Sequence, residues 1–336
     1  IRMASGQGRL VYFDEWMDPS GLERADKLGG VEIIKLDSVG STDVNWLALR
    51  DAHGYQLRPS TETPKIYFPR GDFFDRCPKL LAISSAGAGY DMVDLEACTS
   101  AGVLLFNQTG SNAESVAQHV LAMMLTLSKQ LIQSDRAMHS RTRDWTRWDF
   151  NGREITGRTM GIIGLGNIGT RLARITSAVF GMRVIGYDPY LNAIEFSKRG
   201  AEKYERLQAL FREADFISVN CPLTDETRGM INEDHFDVMK KTAYFVITSR
   251  GGICDETALG AALREERIAG AGLDVFQEEP PPTDHPLLGF DNVIVSPHNA
   301  GITEDANRNM VISAMDQWAE VFKSRRPKNL VNPDAW

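Results

Sequence analysis

Gly164, Gly166 and Gly169 stand in the spacing G-x-G-x-x-G directly behind the apolar run Thr159–Ile163, with Asn167 and Ile168 between the last two. In such a pattern the first glycine permits a tight turn and the second lets backbone N–H groups approach a pyrophosphate. The third allows helix and strand to pack closely, and the helix that opens behind them favours an anion at its N-terminus. A second apolar run, Arg183–Tyr187, ends in Asp188, 19 positions after Gly169, where an acidic ligand for an adenosine ribose is expected. A carboxylate there accepts hydrogen bonds from a 2′-hydroxyl and repels a 2′-phosphate, and neither position 189 nor 190 is basic. NAD is therefore expected rather than NADP. The plain alternative for Asp188 is a turn residue before Pro189.

Three later residues stand at the ends of expected strands. Arg250 precedes Gly251-Gly252, Glu279 closes an acidic pair before three prolines, and His298 sits in Ser296-Pro297-His298-Asn299-Ala300-Gly301. Ligands of open α/β sheets bind at the carboxyl ends of the strands, so all three could reach one crevice. Singly, each has a bland explanation: a surface turn, a solvated carboxylate, a structural histidine.

The elements that must position these groups read as alternating strands and helices. Leu10–Phe13, Val31–Leu36 and Leu80–Ser84 are expected strands, the last two separated by an irregular loop (Arg58–Arg70), and a connector leads to a second series. That series comprises Thr159–Ile163, Arg183–Tyr187, Phe216–Asn220, Ala243–Thr248, Gly270–Leu273 and Val293–Val295. A helix is expected over Asn112–Gln130, opened by a Ser111/Glu114 capping box and apolar on nearly every face, hence buried all round or at a subunit interface. Residues Arg136–Asn151 read as a polar, aromatic connector, and Thr303–Ser324 as a final helix with a threonine cap.

The 336 residues carry 37 Lys and Arg against 45 Asp and Glu, a net charge of −8, which gives no overall basic footprint for nucleic acid or an anionic membrane. No apolar run reaches the roughly 18 residues of a spanning helix. Asp14, Glu15 and Asp18 interrupt the early apolar stretch, so no secretory leader is expected, and Met3 is a candidate natural start. Four scattered cysteines without metal-ligand spacing point to a reduced, cytoplasmic setting and to no metal.

Taken together, the motifs resemble the D-isomer-specific 2-hydroxyacid dehydrogenase family. They are Ala86-Gly87-Ala88-Gly89-Tyr90-Asp91, the glycine loop, Cys221-Pro222-Leu223-Thr224, Ser249-Arg250-Gly251-Gly252, Gly272-Leu273-Asp274-Val275-Phe276, Glu279-Pro280 and Ser296-Pro297-His298, in the family's order. The resemblance implies an α/β protein of two Rossmann-like or flavodoxin-like domains with parallel sheets and the active site in the cleft between them. A substrate domain would comprise 1–110 and 302–336, and an NAD-binding domain 111–301. It implies hydride transfer between NAD(H) and a D-2-hydroxy or 2-keto acid. His298 would be the general acid/base, Glu279 the carboxylate that favours its charged form, and Arg250 the group that grips the substrate carboxylate and keto oxygen. Backbone N–H groups of Ala88 and Gly89 would bind the same carboxylate. Pro222 and Thr227 match the wall around adenosine and phosphates, Asp274 the group holding the nicotinamide carboxamide, and Thr248, Ser249 and Gly301 lie close to that ring.

The chain departs from the family at Ile247, where Asn is usual, and Glu279 in place of Gln argues against the formate dehydrogenase branch. No regulatory amino-acid-binding domain is expected after Trp336. The segments Asn151–Gly157 and Ser115–His119 look most like the phosphoglycerate dehydrogenase branch, and Arg58, Lys65, Arg70, Arg141, Arg143 or Arg147 could bind a phosphate or be solvated surface charges. Hydroxypyruvate, glyoxylate and larger apolar 2-keto acids stay open. So do two rival readings that share the same residues: an NADH-sensing binding protein of the corepressor type, and a phosphite dehydrogenase. The apolar helix and Trp-rich connector suggest a homodimer.

Overall fold

The computed structural model describes residues 8–59 and 62–336; the candidate start at Met3 lies outside them. The chain divides into two compact units, Ile1–Asn112 with Ile302–Trp336, and Ala113–Gly301.

The first unit is built on five parallel strands: β1 (Arg9–Phe13), β2 (Glu32–Leu36), β3 (Gly54–Gln56), β4 (Ala82–Ser84) and β5 (Leu104–Phe106), ordered β2-β1-β3-β4-β5. Parallel strands covered on both faces need apolar side chains in both directions, and every residue of β3, β4 and β5 is buried. One layer is supplied by the helix Glu304–Phe322, whose Trp318 is fully buried, stands edge-on to Phe106 and donates its indole N–H to Gln56 Oε1 at 2.9 Å. The expected cap of this helix is present, with Ala306 N–H donating to Thr303 Oγ1 at 3.1 Å.

The second unit carries seven parallel strands: β6 (Thr159–Ile163), β7 (Arg183–Tyr187), β8 (Glu202–Lys203), β9 (Phe216–Val219), β10 (Tyr244–Ile247), β11 (Gly270–Leu273) and β12 (Val293–Val295). Their order is β12-β11-β10-β9-β6-β7-β8, so the direction of winding reverses between β6 and β9. Such a switch point leaves a crevice at the strands' carboxyl ends, where doubly wound sheets bind dinucleotides.

Three local expectations need correction. The helix Ala113–Ser128 is not buried all round: Val116, Val120, Met123, Met124 and Leu127 enter the core, while Glu114, Gln118 and Ala122, spaced at four residues, stay exposed. Both oxygens of Glu114, expected in a capping box, are taken by Gln118 Nε2 (3.0 Å) and Arg171 Nη1 (2.6 Å). The connector begins as a helix, Leu131–His139, none of whose residues is buried; its run of good helix formers outweighs its polarity. The loop after Arg58 contains a short 3₁₀ turn, Lys65–Tyr67, pinned by the buried Tyr67, whose hydroxyl accepts from Asn45 Nδ2 at 3.0 Å.

Candidate active site

The glycine loop of the second unit leaves β6 at Gly164, whose φ of +86° belongs to the left-handed region that a side chain disfavours. A Cβ there would also stand 2.8 Å from Cys221 N, at the exit of β9, so the loop packs against the other side of the switch point. Gly169, in the first turn of the helix Asn167–Phe180, lies so close to Gly164 that a Cβ would come within 2.1 Å of its carbonyl oxygen. Gly166 differs: it precedes the helix, and a Cβ there meets nothing within 4 Å. That open space above a helix N-terminus suits a pyrophosphate pressed onto backbone N–H groups.

Asp188 follows β7, and its carboxylate accepts from Leu165 N (3.1 Å) and Tyr190 N (3.1 Å), which fixes it beside the glycine loop. After β9, Thr227 Oγ1 donates to Pro222 O at 2.7 Å and accepts from Thr224 N at 2.8 Å, so Thr227 closes the turn that carries Pro222. At the end of β10 the hydroxyls of Thr248 and Ser249 are buried and lack a hydrogen-bond partner among the described residues. Two orphaned hydroxyls at a strand's carboxyl end match the polar edge of a nicotinamide carboxamide, since buried polar groups otherwise find partners. The open cradle at Gly166, the fixed carboxylate at Asp188 and these hydroxyls fit NAD.

Glu279 and His298 are brought together directly. His298 Nδ1 lies 2.7 Å from Glu279 Oε2, and Phe276 N donates to the other oxygen at 3.1 Å. Burial by itself would raise the Glu279 pKa; the hydrogen bond and charge of His298 outweigh it, with help from Phe276 N and Arg250, and the net shift is downward. Glu279 is thus ionised and accepts only, so Nδ1–H of His298 is the donor and Nε2 is the ring nitrogen outside this pair. A folded pKa below the unfolded one makes the Glu279 contribution to stability complete at neutral pH and lost as pH falls through the acid range.

Arg250 joins this pair through the backbone. A Cβ on Gly251 would lie 1.9 Å from Phe276 O, so only glycine lets the turn after β10 touch the segment carrying Glu279. Arg250 itself donates from Nη1 to Ser249 O at 2.7 Å, which bends the side chain back along its own turn. His298 sits at φ +54°, a left-handed backbone uncommon outside glycine, which its surroundings must hold in place.

What holds His298 in that conformation was not visible as a role in the sequence. Asp274, just past β11 and 1% exposed, accepts from Ser296 Oγ (2.6 Å), Asn299 N (2.8 Å) and Ala300 N (2.9 Å), three groups flanking His298. Because Ser296 gives its proton to Asp274, its oxygen receives Nε2–H of His119 at 3.0 Å. Ser115 Oγ donates to Ala300 O at 2.7 Å, next to Gly301, so the helix Ala113–Ser128 clamps the same loop. The only signal was the polar spacing Ser115–His119 on an otherwise apolar helix.

Ala88 and Gly89 belong to the first unit, in the turn after β4. Three successive carbonyls of that turn are anchored: Gly87 O accepts from Gln108 N (2.9 Å), Ala88 O from Asn107 Nδ2 (2.7 Å) and Gly89 O from Ser85 Oγ. In a trans peptide N–H opposes C=O, so the N–H groups of Ala88, Gly89 and Tyr90 are turned away from these anchors. Successive N–H groups of that kind make an anion-binding concavity. Among the described residues no group of three or more His, Cys, Asp or Glu could hold a metal, and no helix is long and apolar enough to cross a membrane.

Known proteins share this architecture. The family model for the D-isomer specific 2-hydroxyacid dehydrogenase NAD binding domain matches residues 121–300. A D-3-phosphoglycerate dehydrogenase of Methanocaldococcus jannaschii is 36% identical over 308 residues, 91% of this chain and 56% of that protein, so the chain spans little more than half of this relative's length. A glyoxylate reductase of Aeropyrum pernix is 38% identical over 268 residues, covering 78% of this chain and 79% of the relative. A solved structure from Thermus thermophilus superposes with a TM-score of 0.83 at 27% identity, over 96% of this chain and 99% of that one. With its NAD-binding unit matched by the family model and its glycine loop built for the cofactor, the chain belongs to the D-isomer specific 2-hydroxyacid dehydrogenase family.

Proposed function

We propose that the chain is an NAD-dependent dehydrogenase that interconverts a D-2-hydroxy acid and its 2-keto acid. The observation that carries this reading is the 2.7 Å bond from His298 Nδ1–H to an ionised Glu279, with Arg250 drawn to the same segment by the Gly251 contact. When bound, NAD(H) supplies or takes up the hydride. His298 Nε2 gives a proton to the keto oxygen in reduction and removes it from the hydroxyl in oxidation. Glu279 holds the ring in one tautomer and balances the charge it carries with both nitrogens protonated. The guanidinium of Arg250 binds the carboxylate and polarises the reacting oxygen through its fork of donors. Asp274 acts here by fixing the His298 loop, in addition to any contact with the carboxamide.

The catalytic assignments are tested by following NADH absorbance with pyruvate, hydroxypyruvate, phosphohydroxypyruvate, glyoxylate and phenylpyruvate, and by resolving the chirality of the product. Arg250→Lys keeps the charge but loses the bidentate fork. We expect it to lower kcat/KM by about 100-fold, the order of a lost positioning contact. An L-configured product, or an unchanged Arg250→Lys variant, contradicts the assignment.

The reading extends to assembly and setting. Leu131, Met138 and Trp148, 52%, 67% and 70% exposed in the single chain, support a homodimer through this face, and sedimentation equilibrium tests it. Four free cysteines, three of them buried, suit a reducing cytoplasm.

A further inference from the structure

The segment that carries Glu279 leaves β11 through Phe276 and returns to the core at Leu287, a buried residue of the 3₁₀ turn Pro286–Gly289. None of residues 277–286 is buried: Glu279, Pro281 and His285 are partly covered, and the rest are exposed. Pro280, Pro281 and Pro282 stiffen the loop, but stiffness does not fix its place. So little apolar contact is too weak a hold for a carboxylate that must stay 2.7 Å from His298 Nδ1. The hold is polar, and it comes from one side chain.

Glu256 opens the helix Glu256–Arg264, whose dipole favours a negative charge at this end. Its Oε1 accepts from Gln277 N at 2.6 Å, and its Oε2 lies 3.1 Å from His285 Nε2. His285 Nδ1 accepts from Leu287 N at 3.3 Å, so the ring carries its proton on Nε2 and donates it to Glu256. The His285 ring also stands edge-on to Phe276, with centroids 5.3 Å apart. The Glu256 and His285 side chains are 15% and 17% exposed, so water competes little for these bonds. One carboxylate thus ties both ends of the loop to one helix.

The Gln277 end bears on the chemistry. A trans peptide sets its C=O and N–H in opposite directions, so the bond from Gln277 N–H to Glu256 also aims the carbonyl of Phe276. Gly251 packs against that carbonyl, and Phe276 N is the donor that holds Glu279 Oε1 at 3.1 Å. Turning this one peptide would shift the Arg250 turn and the Glu279 carboxylate together. We infer that Glu256 and His285 are positioning residues for the reaction: they touch no reacting atom, and they hold Glu279 where it orients His298. The kinetic consequence rests on the dehydrogenase reading above; the hold on the His298–Glu279 bond rests on geometry alone.

The test sets Glu256→Gln and His285→Phe beside His285→Gln. Glu256→Gln replaces one acceptor oxygen by an NH₂ group, so either Gln277 N–H or His285 Nε2–H meets a donor. His285→Phe keeps a ring against Phe276 and loses the donor, whereas His285→Gln keeps a donor and loses the ring. The first two should lower kcat for 2-keto acid reduction about 10- to 100-fold, the cost of a displacement near 1 Å, with KM and NADH affinity within about 2-fold of wild type. His285→Gln should bring kcat back to within about 3-fold of wild type, because the bond to Glu256 is kept. A second readout needs no turnover. The His298 Nδ1–H proton held by Glu279 should give a downfield proton resonance, identified by its absence from His298→Ala. Glu256→Gln and His285→Phe should lose that resonance to solvent exchange, and His285→Gln should retain it. If Glu256→Gln fails to fold, the two His285 variants decide. The inference is overturned by folded Glu256→Gln or His285→Phe protein that keeps both kcat and the resonance, by a loss confined to KM, or by His285→Gln no better than His285→Phe. If the wild-type protein reduces no acid yet the resonance follows this pattern, the dehydrogenase reading falls and the positioning role stands.

Discussion

The two units present their strand ends in opposite ways. In the second, a few neighbouring residues make each feature: Gly164 to Gly169 shape one turn, Ser249 to Gly251 another, Ser296 to Ala300 a third. In the first, a small apolar recess at the carboxyl ends of β1 and β3 is lined by Tyr12, Leu57, Ala86 and Met310, which are up to 298 positions apart and share no single motif. The difference is physical. A backbone conformation or a close approach demands a particular residue locally, above all glycine, whereas an apolar wall accepts any side chain of suitable volume. Such backbone requirements are therefore written compactly in the sequence, and apolar walls diffusely.

That contrast can be attacked first where the first unit depends on volume. Trp318→Ala removes the largest fully buried side chain and orphans Gln56 Oε1, and should cost about 3–5 kcal/mol in urea unfolding, while NADH affinity at low denaturant stays near wild type. A matching loss of NADH affinity would show that the two kinds of site are not separable. Gly251→Ala is the counterpart in the second unit. A Cβ 1.9 Å from Phe276 O forces apart the turns bearing Arg250 and Glu279, and a displacement near 1 Å should reduce kcat about 100-fold. Activity within a few-fold of wild type would break the argument that this glycine is required by contact.

The glycine loop of the second unit was legible for the same reason. The glycine loop and Asp188 follow from a local spacing, whereas Glu279 and His298 read singly as a solvated carboxylate and a structural histidine and take their expected roles from the family resemblance; the strands β6, β7 and β9 to β11 are long enough to read as apolar runs. The strands β3, β5 and β8, two or three residues long, show no periodicity of their own; β12 is as short and is legible only because Val293–Val295 is an unbroken β-branched run. Asp274, which the resemblance assigns to the nicotinamide carboxamide, also anchors the His298 loop through its bonds to Ser296, Asn299 and Ala300. Such a hub joins the exit of β11 to one turn more than twenty residues away, and no spacing in the sequence marks it. The Leu131–His139 helix escaped because its polarity hid an otherwise good helical composition.

Smaller effects sharpen the picture of the switch point. Burial behind the glycine loop pushes the Cys221 thiol up to about 11, since the thiolate is the form that desolvation disfavours. Alkylation by iodoacetamide at pH 8 should then be about 100-fold slower than for an ordinary thiol and rise about tenfold per pH unit up to that value. Fast, pH-independent labelling would show that the loop does not cover Cys221. Gly166→Ala should raise the NADH dissociation constant by about 10-fold, because the new methyl occupies the space left for the pyrophosphate, with the unfolding midpoint almost unchanged. A fall in stability instead would mean that Gly166 serves packing, as Gly169 does.

The most direct measurement is single-turnover oxidation of NADH by a 2-keto acid, with wild-type protein and with His298→Ala, alongside NADH binding by fluorescence. The account predicts saturable turnover by the wild type and a loss of about 10²–10⁴-fold in the variant, the worth of a positioned acid, with NADH binding retained. Turnover that survives the substitution, or wild-type protein that binds NADH and reduces none of the acids, would contradict it.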